Sequence, residues 1–79
     1  MIRLSFETKN DRETIFNKAI THFEKAGLKL TEQADCCVFF ESSTGFVRVT
    51  LNEHDDKTEV ELESREYEYS SKDFINQFK

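Results

Sequence analysis

The sequence predicts an α+β fold: a four-stranded mixed sheet in the order β-α-β-β-β-α, with both helices packed on one sheet face. Three observations carry that prediction. Three short segments alternate apolar and polar residues with a period of two, as half-buried strands do, and a fourth, Cys36 to Glu41, is a short apolar run bounded by polar residues. Two other segments repeat their apolar residues at helical spacing along a single stripe, and such a stripe must be buried against something. The segments between them are brief and turn-like, which joins the last three strands as an antiparallel meander.

The first strand is Ile2-Arg3-Leu4-Ser5-Phe6-Glu7, with Ile2, Leu4 and Phe6 on one face. The segment turns polar too soon to serve as a signal peptide, and no run reaches the ~18 apolar residues of a membrane span. Asn10 then reads as a helix N-cap, with Glu13 three residues on at capping-box spacing. Ile15, Phe16, Ala19, Ile20, Phe23 and Ala26 form the apolar stripe of a helix over Asp11 to Ala26. Gly27 ends it, and Leu28 is placed to fold back on the last turn.

Leu28 to Asp35 is ambiguous: Leu28 and Leu30 alternate, but Thr31 to Asp35 is polar. The second strand is therefore set at Cys36 to Glu41, parallel to the first. A turn at Ser42–Gly45, with Gly45 free to take a positive φ, leads to a strand from Phe46 to Glu53. A turn at His54–Lys57 leads to the last strand, from Thr58 to about Glu66. A slip of one residue would move every side chain to the wrong face. Setting Glu53 opposite Thr58 puts Val49 against Leu62 and Leu51 against Val60 inside, and Arg48 against Glu63 outside. Setting Phe40 opposite Val47 buries Cys36, Val38 and Phe40; the alternative would bury Glu41 without a partner. Tyr67 and Tyr69 break the phase and mark a bulge or the strand's end. Ser70 or Ser71 caps a short terminal helix with Phe74, Ile75 and Phe78 on its apolar face.

Seventy-nine residues make one domain, 1–79, whose folding buries only about 60% of the unfolded chain's surface. Eight Phe supply much of the core without staples. Sixteen acidic against eleven basic residues give a net charge of −5, with the basic residues scattered. Nucleic acid, which demands a basic stripe, and anionic membranes are disfavoured as partners. The two Cys are adjacent and make no disulfide framework, so a reducing cytoplasmic location is expected.

Several residues invite a functional reading. Cys36-Cys37 offers two thiols, but neighbours on a strand point to opposite faces, so Cys36 reads as core and Cys37 as a surface thiol. Glu53, Asp55 and Asp56 concentrate oxygen ligands beside His54 and make a candidate for weak divalent-cation binding, although the EF-hand spacing is absent. Glu59, Glu61 and Glu63, with Glu66 and Glu68 beyond, read as a solvated face. His22 and His54 have no nucleophile at a spacing that implies a dyad. No cofactor and no catalytic residue is expected. The strongest signal is Phe39 and Phe46, which the register places on the outer sheet face with Arg48 and Arg65, and Tyr67 nearby. Aromatics and Arg are enriched at interface centres. The expectation is a non-enzymatic interaction or assembly domain whose partner is another protein or itself, as a homodimer. Binding of a small ligand or cation at residues 53–56 is the alternative.

Overall fold

The computed structural model describes residues 2–78. Its elements are β1 (Ile2–Thr8), α1 (Arg12–Lys25), β2 (Lys29–Gln33), β3 (Cys37–Glu41), β4 (Phe46–His54), β5 (Lys57–Arg65) and α2 (Glu68–Asn76). The α+β class stands, but the sheet has five strands, ordered β1-β5-β4-β3-β2, and every neighbouring pair is antiparallel. The additional strand is the ambiguous Lys29–Gln33 segment. Its insertion reverses the direction of everything after it, so Cys37–Glu41 runs opposite to β1 and the expected mixed sheet becomes antiparallel. β2 lacks apolar alternation because it is an edge strand: only Leu30 packs against the core, and the register shifts between Leu30 and Glu32. Polar, bulged edges are tolerated because they discourage further strand pairing.

Helix α1 begins one residue later than the capping-box reading places it. Asp11 is the N-cap, and its carboxylate accepts from the Thr14 N–H at 2.9 Å. Those hydrogen bonds, from the Thr14 side chain first, hold the Asp11 carboxyl below its ordinary pKa. Asn10 is occupied elsewhere, donating from its backbone and side chain to the Thr8 hydroxyl. At the other end Gly27 takes φ +100, the Leu28 N–H donates to the Phe23 carbonyl and the Gly27 N–H to that of Glu24. This is the Schellman arrangement, with Leu28 and Phe23 both buried.

Both hairpin registers hold. Val49 faces Leu62, Leu51 faces Val60 and Arg48 faces Glu63; Phe40 faces Val47 and Val38 faces Val49. The second hairpin is tighter than the sequence suggests, since His54 pairs with Lys57 and Asp55 adopts φ 53. Gly45 is needed for a different reason from the one its turn implies. A Cβ there would lie 2.0 Å from the Arg65 carbonyl oxygen, so it is a close approach between backbones, and not a positive φ, that requires glycine.

Both helices cover one face. Ile15, Ala19 and Phe23 of α1 and Phe74 of α2 are wholly buried with Val38, Phe40, Val47, Val49 and Val60. Phe23 contacts Phe40 and Phe74, each with ring centroids 5.4 Å apart. Helix α2 starts earlier than a serine cap would allow. Tyr67 is its N-cap with no side-chain bond, and the Ser71 hydroxyl donates back to the Tyr67 carbonyl. Glu66, at φ 71, makes the turn between β5 and that helix. His22 joins the helices: its Nε2 lies 2.8 Å from the Ser70 carbonyl oxygen and its Nδ1 3.0 Å from the Gln77 amide nitrogen. A carbonyl only accepts, so Nε2 carries the proton and Nδ1 accepts from the amide. His22 thereby bridges α1 and α2. Among the described residues, no helix is long and apolar enough to cross a membrane.

Candidate functional site

The face opposite the helices carries the other half of each strand's alternation. Strand pairing arranges its side chains in rows that run across the sheet. One row is Arg65, Phe46, Glu41 and Lys29, on β5, β4, β3 and β2 in turn. The next row is Glu63, Arg48, Phe39 and Glu32, continued on β1 by Arg3. Phe46 and Phe39 stand diagonally adjacent and stack, with ring centroids 5.5 Å apart and planes 24° from parallel. Both are half-buried although no helix lies over them, because each ring shields the other.

The charges around the stack are ordered. The Glu63 carboxylate accepts from Arg48 at 2.7 Å and from Arg3 at 3.2 Å, a cross-strand bridge spanning β4, β5 and β1. Arg48 is the main reason the Glu63 carboxyl sits below its ordinary pKa, and Glu63 correspondingly raises that of Arg48. The Thr31 hydroxyl donates to Glu41 at 3.2 Å and holds that carboxylate towards the β2 edge. Of the residues the sequence assigns to this surface, Phe39, Phe46, Arg48 and Arg65 therefore come together. Tyr67 does not. It packs against the core cluster, and its hydroxyl lies 2.6 Å from the Ser42 hydroxyl and 3.2 Å from that of Thr44, tying α2 to the β3–β4 turn. Those hydrogen bonds, Ser42 first, lower its pKa. The positive φ at Glu66 turns the chain under the sheet, and strand phase could not show this.

Glu32 and Lys29 are members of the outer rows that sequence reasoning missed. Their signal was the polar character that disguised β2 as a loop. The acidic turn at residues 53–56 leads out of β4 and into β5. Glu53 is bridged to Arg12, and no group of three or more His, Cys, Asp or Glu side chains able to hold a metal occurs among the described residues. The cysteines also differ from expectation. Cys36 lies outside β3 and is exposed, not buried, and its sulfur is 3.6 Å from that of Cys37. The opposite-faces rule applies only within a strand, and Cys36 precedes one.

No protein-family model matches the chain, and a search of curated proteins finds no match either.

Proposed function

We infer that this domain is a non-enzymatic assembly module that pairs with a second copy of itself through the open sheet face. The observation that carries this reading is the charge order of the two rows. Across the sheet, the first row reads basic, aromatic, acidic, basic, and the second reads acidic, basic, aromatic, acidic. A second copy turned over about a two-fold axis running across the strands, between the rows, would set Arg65 against the partner subunit's Glu63 and Lys29 against the partner subunit's Glu32. It would also set Phe46 against the partner subunit's Arg48, a cation–π pairing. An axis along the strands would instead oppose Arg65 to Lys29 and Glu63 to Glu32, so the pattern favours one dimer over the other. With Arg3 included, the two rows carry three acids and four bases, which keeps the net charge of −5 from opposing the contact locally. Overlap confined to this end of the face is small beside the ~800 Å² per partner of a standard interface, so self-association should be weak and concentration-dependent. The two free thiols suit a reducing, cytoplasm-like compartment.

Sedimentation equilibrium over a range of concentrations tests this. Wild type should shift towards dimer as concentration rises, and Phe46→Glu should remain monomeric. Lys29→Glu and Glu32→Lys should each weaken the dimer, and the double swap should restore it. A wild type that stays monomeric throughout, or a Phe46→Glu variant that dimerises normally, would overturn the reading.

A further inference from the structure

The adjacent thiols of Cys36 and Cys37 form a second feature, independent of the sheet-face reading. Cys37 opens β3 on the outer face opposite Thr50, and Cys36 occupies the bend before it. Their sulfurs are 3.6 Å apart. Both backbones are pinned: the Cys36 carbonyl accepts from the Leu51 N–H at 2.7 Å and the Cys37 carbonyl from the Ala34 N–H at 2.8 Å. The pair is thus held from β4 and from the residue that follows β2, with Cys36 exposed to solvent.

We propose that Cys36 and Cys37 form a preorganised vicinal-dithiol site for a three-coordinate thiophilic centre of the trivalent-arsenical class. A centre bonded ~2.3 Å from each sulfur, the length of a zinc–thiolate bond, would see the 3.6 Å separation under an angle of about 100°. That is the angle of a pyramidal or tetrahedral centre and is far from linear. A tetrahedral ion such as Zn²⁺ would need two more ligands, and no third His, Cys, Asp or Glu converges here among the described residues. A trivalent arsenical with one organic substituent needs only two thiolates. Its oxide condenses with the pair without any redox change. Each S–H bond breaks as its sulfur bonds arsenic, the arsenic–oxygen bond is lost, and both protons leave with that oxygen as one water. Arsenic remains trivalent. The sulfur–sulfur hydrogen bond with Cys36 first, and burial second, raise the Cys37 thiol above its ordinary pKa.

The probe is phenylarsine oxide, with mass spectrometry for stoichiometry and thermal unfolding for state preference. One adduct per chain with loss of both free thiols is expected, reversed by a dithiol competitor but not by an equal concentration of monothiol. Cys36→Ser and Cys37→Ser should each weaken binding about 100-fold or more, because the second bond is no longer intramolecular. The exposed Cys36 position keeps the test open should Cys37→Ser fail to fold. Since any adjacent thiols react when unfolded, the deciding measurement is Tm. Binding preferentially to the native chain must raise it. An unchanged or lowered Tm at saturation, or single variants that bind as tightly as wild type, would overturn the proposal.

Discussion

On the helix-covered face, Val47, Val49, Val60 and Leu62 of the two central strands are at most 1% exposed; on the opposite face, the residues alternating with them are Arg48, Thr50, Glu61 and Glu63. The same backbone thus supports two kinds of organisation. The inner face gains its free energy from burial and close packing, which are sensitive to volume and indifferent to order along the chain. The outer face is ordered by charge and by one aromatic stack, and exposed ion pairs of this kind contribute little to folding.

Substitutions that separate the two faces should differ sharply in effect. Phe40→Ala removes a fully buried ring between Phe23 and the sheet and should cost about 3–5 kcal/mol. That is a large share of the ~4–12 kcal/mol expected for a domain of this length. Urea denaturation should show the midpoint collapse, whereas Phe46→Glu, six residues on but facing outward, should leave the midpoint nearly unchanged while abolishing self-association. A smaller effect of opposite sign is expected at Ser64. Its hydroxyl is buried with no hydrogen-bond partner among the described residues. Ser64→Ala should therefore stabilise the domain by about 1 kcal/mol, read as a raised Tm. The smallest effect belongs to the outer face's far corner, where Glu7 lies directly opposite Glu59. Glu7→Lys replaces that repulsion with attraction and should add ~0.2–1 kcal/mol, diminishing with added salt. Equal losses from Phe40→Ala and Phe46→Glu would show that the outer stack is structural and would erase the distinction between the faces.

Helix α1 and the two hairpins were legible because their signals are local and repeated. The stripe from Ile15 to Phe23 and the joint agreement of core and charge across Arg48–Glu63 leave one register. The misplaced parts lie where one residue has two possible uses. Asn10 and Asp11 both suit a helix cap, and the choice fell to Asp11 because Thr8 engages Asn10. β2 carries a bulge and one inward Leu, so its pairing depends on β3 being in place beside it. Tyr67 has the phase of an outer-face residue, but the backbone turn at Glu66 sends it to the core side.

Local patterning fixed the α+β class and the two faces of each alternating strand, since a period of two or 3.6 in apolar residues is set by backbone geometry alone, and the outward placement of Phe39 and Phe46 followed from the hairpin register that keeps Glu41 out of the core. Tertiary structure alone decided the number and direction of the strands, the completion of the charge rows by Lys29 and Glu32, and the approach of the Cys36 and Cys37 sulfurs. These depend on contacts between segments distant in the chain, or on bends those contacts impose, and no local pattern records them.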